Sequence, residues 1–312
     1  MIVRDDLLNF TRGGLMGCAD IVPGVSGGTV ALILGIYERL IGAISRVDTI
    51  ALGALRRGAL REFAQRIDLR FLVGLGLGIA VALLALGSTM HFLLEHHRER
   101  TLAAFFGMII ASTILVLREI DGWKAGTAVA FVGGVGFAYW LVGLPVFEDP
   151  PRGLPWIFVC GMVAICAMIL PGISGAFILL ILGEYYEVTG VLKEFASGRF
   201  TGANIALVAT FAVGALIGLL SFSRVLRWLL RAAKSVTMAV LAGFMLGSLR
   251  KIWPFQIDTT PGEVDFKHKI FDNVTPDWSA GSTWMTVMVG VVAGVFVLLL
   301  ERTAARTNGA KS

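Results

Sequence analysis

Apolar residues fall in long uninterrupted blocks along this chain, and the charges gather in short clusters between them. Blocks at 71–94, 102–117, 125–144, 204–222, 236–249 and 284–300 predict six membrane-spanning helices. About 20 apolar residues cover the hydrocarbon core, so the shorter blocks sit near the lower limit. Two further stretches, 13–45 and 156–183, are too long for one span, and each is interrupted by a Pro-Gly-x-Ser-Gly turn. Proline removes a backbone donor and glycine relaxes the backbone. Each stretch therefore predicts a pair of half-helices meeting inside the membrane.

The two turns belong to an internal repeat. With Pro23 laid on Pro171, 13 of the 25 positions from Cys18 to Gly42 are identical. The match continues weakly at an offset shorter by twelve residues: Gly78, Leu83 and Leu84 answer Gly214, Leu219 and Leu220, and Ala103, Gly107 and Ser112 answer Ala239, Gly243 and Ser248. The unit is a broken hairpin followed by three spans, used twice, over 13–144 and 155–301 of a single membrane domain, 1–312. If both hairpins re-enter and leave on their own side, three spans separate them and the second repeat is inverted. The expected fold is thus an all-α polytopic membrane protein with two inverted-topology repeats, and such repeats with broken helices characterise secondary transporters.

Composition supports the membrane reading: 56% of residues are apolar and 16% charged, too few charges to cover a soluble surface of this size. Lys and Arg set the orientation. Arg4, Arg12, the six arginines from Arg46 to Arg70, Arg118, Lys124, the 224–234 cluster and the tail fall on one side. By the positive-inside rule both termini are cytoplasmic and 253–282 is a polar outside loop. With its charge at membrane edges, the chain is not expected to bind nucleic acid. Cys18, Cys160 and Cys166 lie in apolar segments and read as packing residues.

The candidate chemistry lies at the breaks. Gly24, Ser26, Gly27, Gly28 and Thr29 in the first, with Gly172, Ser174 and Gly175 in the second, place glycines and hydroxyls where backbone hydrogen bonding lapses. Irregular backbone at membrane depth survives only when buried in protein or facing a water-filled cavity. Half-helices starting there aim free N–H groups at the break, favouring phosphate or carboxylate. The plain structural alternative is a pair of tight turns that let helices cross. Asp20 stands three residues before Pro23, with Met168 as its repeat partner. An acid there is a candidate for proton coupling, or equally a cap holding the turn. Glu38, Glu184 and Glu187 are expected to reach the interface, Glu38 and Glu184 being the next coupling candidates. Arg224 and Arg118 end apolar runs and are candidates for bidentate phosphate contact, with snorkelling as the alternative. His91, His96 and His97 with Glu95 lack a second ligand cluster, so no metal or cofactor is expected. No nucleophile or phosphate-loop motif argues for an enzyme.

Four segments, ADIVPGVSGGT with ALILGIYERL, AICAMILPGISGAFILLILG, GLLSFSRVLRWLL and LAGFMLGSLRKIWP, run through nearly the whole chain. Together they resemble the bacterial and archaeal polyprenyl-phosphate transporter family. The resemblance implies a flippase that returns undecaprenyl phosphate, the lipid carrier of cell-wall synthesis, from the outer to the inner leaflet of the cytoplasmic membrane. By that resemblance Asp20, Pro23, Gly24, Ser26, Gly27 and Gly28 match the first motif, Pro171, Gly172, Ser174 and Gly175 the second, and Arg224 the third. Ala176 stands where relatives often carry serine. The competing functions are an integral-membrane enzyme acting on a lipid phosphate and a transporter of a small anion.

Overall fold

The computed structural model describes residues 2–20, 26–147, 149–261 and 271–309, so Pro23 and Gly24 of the first motif lie outside the described residues. Among the described residues the regular structure is helical, apart from one small hairpin. The first half runs α1 (Ile2–Asp20), α2 (Gly27–Ile33), α3 (Tyr37–Ser45), α4 (Thr49–Arg56), α5 (Leu60–Arg66), α6 (Leu69–His96), α7 (Arg98–Arg118) and α8 (Ala125–Leu141). The second runs α9 (Leu154–Ile169), α10 (Gly175–Ile181), α11 (Tyr185–Ala196), α12 (Gly202–Ala232), α13 (Lys234–Ser248), β1 (Gln256–Asp258), β2 (Phe271–Asn273) and α14 (Gly281–Gly309).

Helices α6, α7, α12 and α14 are long and apolar enough to cross a membrane, and the bent pair α2–α3 gives up to a fifth span. Two expected spans fall short. Helix α8 has 17 residues and α13 has 15, or about 25 and 22 Å at 1.5 Å per residue, against a core of about 30 Å. Helix α12 instead continues past the predicted end at Phe222 to Ala232, because the amphipathic run that follows keeps helical periodicity.

Neither long broken stretch is a simple pair of half-helices. Each contains a seven-residue middle piece, α2 or α10, ended by the same turn. The Gly35 N–H bonds to the Leu32 carbonyl and the Ile36 N–H to that of Ala31; Gly183 and Glu184 do the same to Leu180 and Leu179. Gly35 and Gly183 have φ of 65° and 81°, the left-handed region that suits glycine in a Schellman cap. The first turn bends the chain by 119° between α2 and α3.

The chain divides into two compact units, Met1–Leu83 with Leu144–Thr237, and Leu84–Gly143 with Met238–Ser312. In the first, Gly13 of α1 abuts the Leu75 carbonyl and Gly78 of α6 abuts that of Phe10; Gly161 of α9 abuts the Phe211 carbonyl and Gly214 of α12 that of Phe158. A Cβ at any of these four glycines would strike the facing backbone. The pairs correspond, since Phe10 and Gly13 become Phe158 and Gly161 at the repeat's first offset, and Leu75 and Gly78 become Phe211 and Gly214 at its second. Lipid tails are as apolar as leucine, so helices in a bilayer need such close backbone approach to associate. Ile157, Val188, Val191 and Leu207 join α9, α11 and α12 in an apolar cluster. In the second unit α7 packs on α14 at Gly107 and Gly290, and α8 on α13 at Gly134 and Gly243.

The arginine-rich segment after α3 forms α4 and α5. Asp48 caps α4 by accepting from the Ala51 N–H at 2.9 Å, and it also accepts from Arg66 Nε and Nη2 at 3.1 and 2.5 Å. These bonds, the guanidinium's foremost, hold the Asp48 carboxyl down at about 2. This contribution to stability is present above the ordinary carboxylate range and is lost as pH falls through about 2. The expected outside loop carries the hairpin β1–β2, antiparallel with Gln256 opposite Asn273. Arg98 pins it, donating to Gln256 Oε1 at 2.8 Å and stacking over the Phe271 ring.

Candidate functional site

The interrupted helices of the first unit meet at their breaks. Helix α9 ends where Leu170 turns extended (φ −72°, ψ 127°) and Gly172 takes a φ of 86°. Carbonyls in the last turn of α9 are thereby left without helical partners, and in a low-dielectric interior each needs one. Side chains of the first broken helix supply two. Ser26 Oγ donates to the Met168 carbonyl at 3.1 Å, and Tyr37 Oη donates to that of Ile169 at 3.1 Å. In return the Gly172 N–H donates to Thr29 Oγ1 at 2.8 Å. Ser26, Thr29 and Tyr37 are each about 1% exposed. Three hydrogen bonds between residues more than 130 positions apart thus lock the two breaks together, each contributing about 1 kcal/mol net.

Glycine at position 28 is a steric requirement of this crossing. A Cβ there would stand 2.8 Å from the Ile169 carbonyl oxygen and 3.3 Å from that of Met168. Gly175 answers a constraint inside the second hairpin, where a Cβ would stand 2.7 Å from the Ala164 carbonyl oxygen. At Gly27 the obstacle is Asp20 itself, with Oδ2 at 2.7 Å from the ideal Cβ.

The two short helices start differently. At α2, the Gly27 N–H donates to Asp20 Oδ1 at 2.6 Å, the Gly28 N–H to Ser26 Oγ at 3.1 Å and the Thr29 N–H to the Ser26 carbonyl at 2.9 Å. The first helix end therefore already holds an anion, the chain's own carboxylate. At α10, the matching Ser174 makes no side-chain cap bond, and Met168 replaces the acid. The sequence already places an acid in one half only, and the geometry shows that this acid occupies the Gly27 N–H, one of the groups expected to be free at the first helix end.

The remaining candidates separate. Glu38 is exposed and pairs with Lys234 Nζ at 2.6 Å. Glu184 is 4% exposed, against the expectation of a solvated side chain, and among the described residues its Oε2 has no hydrogen-bond partner. A sequence signal existed: Glu184 aligns with Ile36, an apolar position that is equally buried. Arg224 is exposed and donates from Nη2 to the Val47 carbonyl at 2.6 Å, holding α12 to the end of α3. Arg118 is exposed in the last turn of α7, in the second unit. Tyr37 was missed as a site residue, although its recurrence as Tyr185 at the repeat offset marks it. Among the described residues no group of three His, Cys, Asp or Glu side chains could hold a metal ion.

Comparison with known proteins adds a family. Residues 16–265 match the undecaprenyl phosphate translocase-like family. A Vibrio cholerae protein named polyprenyl-phosphate transporter is 36% identical over 310 residues, covering 96% of this chain and 97% of that protein. A Staphylococcus aureus protein of the same name is 31% identical over 262 residues, covering 79% of this chain and 86% of that protein. No solved structure matches the chain.

Proposed function

We propose, because the chain belongs to the undecaprenyl phosphate translocase-like family, that it carries polyprenyl phosphate from one leaflet of a membrane to the other. The geometric observation that carries this reading is the hydrogen-bonded crossing of two broken helices in a chain otherwise built of apolar spans. A phosphate head cannot enter hydrocarbon without compensating contacts, whereas a polyprenyl tail needs none. The protein need therefore shelter only the head, and the crossing is where polar backbone and hydroxyls gather. We assign the head to this region, with Ser26, Gly27, Gly28, Thr29, Gly172, Ser174 and Gly175 around it and Arg224 as a further cationic contact; Gly24 lies outside the described residues and Arg118 belongs to the other unit. Asp20 is the group through which proton movement couples to that of the phosphate. The cargo in this reading is undecaprenyl phosphate, recycled across the cytoplasmic membrane.

The same reading takes the two repeats as inverted; the paired α1–α6 and α9–α12 contacts support the repeat itself, and the Lys and Arg distribution its orientation. Both termini then face the cytoplasm. A cysteine at exposed Thr275 is expected to react with an impermeant thiol reagent in intact cells, and one at exposed Arg57 only after permeabilisation. The opposite labelling pattern would overturn the orientation.

The functional test is flipping of fluorescent polyprenyl phosphate in liposomes containing only this protein, read as accessibility to a membrane-impermeant quencher. Acceleration over protein-free liposomes is the expected result. Release of inorganic phosphate would indicate an enzyme instead. Movement of a soluble anion without lipid flipping would indicate a small-anion transporter.

A further inference from the structure

Away from the crossing, the first unit contains a cavity of about 250 Å³ whose wall includes Arg12, Arg39 and Arg70 together with Asp5, Asp6 and Asp68. Its charges are arranged rather than merely mixed. Arg39 grips Asp68 with two bonds, Nε at 2.7 Å and Nη2 at 3.2 Å, and lies 4.2 Å above the Phe71 ring. Arg70 grips Asp6 in the same two-pronged way. Those pairs are internally neutral and fix both guanidinium groups. Arg12 is different. It is half-buried and, among the described residues, forms no ion pair with a carboxylate and makes one long hydrogen bond, 3.4 Å to Asn9 Oδ1. A guanidinium carries five donors in a rigid fork suited to phosphate, so Arg12 presents a preformed but largely unused cationic fork beside the cavity.

From these observations we infer that the cavity binds a phosphate monoester through Arg12, with Arg39 and Arg70 held in place by Asp68 and Asp6. The surroundings favour a lipid as the bearer of that phosphate. Leu8 lines the cavity at 47% exposure, and its neighbour Leu7 is 64% exposed, so apolar surface adjoins the charged wall. That combination fits an amphiphile whose head enters the cavity while its chain stays along α1. Asp5, on the same wall and exposed, opposes an anion and keeps the site one that can release its guest. The inference rests on the function proposed above. It adds a second station for the headgroup. Arg12 and Asp20 are eight residues apart on α1, about 12 Å along the axis, so one rigid helix joins this cavity to the crossing.

The test uses the full chain in lipid nanodiscs, titrated with geranylgeranyl phosphate, with geranylgeraniol and with inorganic phosphate. Arg12→Gln is expected to weaken binding of the prenyl phosphate at least tenfold, with Arg12→Lys intermediate. Arg57→Gln, altering an exposed arginine paired only loosely with Glu62, is expected to bind like wild type. Displacement by millimolar inorganic phosphate in wild type but not in Arg12→Gln would identify the phosphate alone as sufficient. Displacement by neither phosphate nor the alcohol would assign the site to the intact lipid phosphate. A second measurement covers the case in which Arg12→Gln fails to fold. Cysteine at Leu8 is expected to be labelled by an anionic thiol reagent at least fivefold more slowly with the prenyl phosphate present. Binding by a folded Arg12→Gln equal to wild type, or unprotected Leu8→Cys in a protein that flips polyprenyl phosphate, overturns the cavity assignment and leaves the transport reading standing. Arg12-dependent binding of inorganic phosphate by a protein that neither binds nor flips the lipid leaves the cavity standing and removes the transport reading.

Discussion

Gly28→Leu is expected to insert normally and to lose transport of polyprenyl phosphate by at least about tenfold. The added Cβ meets two carbonyl oxygens of α9 at 2.8 and 3.3 Å. These belong to a helix end that cannot retreat, because it is the acceptor of the Ser26 and Tyr37 hydroxyls. Overpacking of this kind costs about 1–3 kcal/mol even where neighbours can shift. Here the relief is to separate the two breaks, which also strands three buried hydrogen-bonding groups. Gly175→Leu is expected to act similarly by prising α10 from α9. Gly76→Leu is the control, since a Cβ at that position in α6 meets nothing within 4 Å, and it is expected to transport like wild type. Flipping in proteoliposomes, with yield and thermal stability in detergent measured alongside, separates the outcomes. Wild-type transport by well-folded Gly28→Leu would reduce the crossing to a static joint.

The breaks were legible in the sequence because proline and glycine act locally: their effect on the backbone requires no knowledge of what lies opposite. The four longest spans were legible for the same reason, as each is a run of apolar residues. The crossing was not. Ser26 and Thr29 could be singled out as hydroxyls at a break, but their partners are the carbonyl of Met168 and the N–H of Gly172, groups that nearly every residue carries. No residue type announces which carbonyl a helix interruption will leave open. Asp20 was legible as a cap holding the turn, but its partner was not. Its seven-residue reach to Gly27 spans the motif itself, a separation that ordinary capping rules, with two or three residues between partners, do not anticipate. The short amphipathic helices α4 and α5 were hidden by their arginines, which read as a loop until Asp48 is seen to tie them. The arginine cavity was hidden by distance, drawing on residues from 5 to 71. What the sequence did hold, unread, were two pairs at the repeat offset: Tyr37 with Tyr185, and Glu184 with Ile36, point to a buried hydroxyl and a buried acid.

Asp20→Asn is expected to flip polyprenyl phosphate while losing the response to an imposed pH gradient. The asparagine retains a side-chain oxygen that can accept from the Gly27 N–H, so the cap at the start of α2 survives while charge and titration are removed. If Asp20 were only a cap, Asp20→Asn would therefore behave like wild type, whereas Asp20→Ala, lacking the acceptor, would be damaged. If Asp20 carries the coupling proton, the two variants divide differently. Asp20→Asn then binds the lipid phosphate at least as well as wild type, because a resident anion no longer competes beside the same N–H groups, but its flipping rate is the same with the gradient in either direction. The measurement is the ratio of flipping rates under opposed gradients, taken alongside binding of the lipid phosphate at fixed pH. A ratio departing from one in wild type and equal to one in Asp20→Asn, with binding retained, supports coupling through this carboxylate. An Asp20→Asn ratio like that of wild type assigns Asp20 to the turn and moves the coupling proton elsewhere. Of the two remaining acids, Glu38 is held in an exposed pair with Lys234, whereas Glu184 is buried beside Glu187, with its Oε2 lacking a hydrogen-bond partner among the described residues. A buried acid in that condition is the better proton carrier, because protonation relieves it, and Glu184→Gln is then the variant in which the gradient response should disappear.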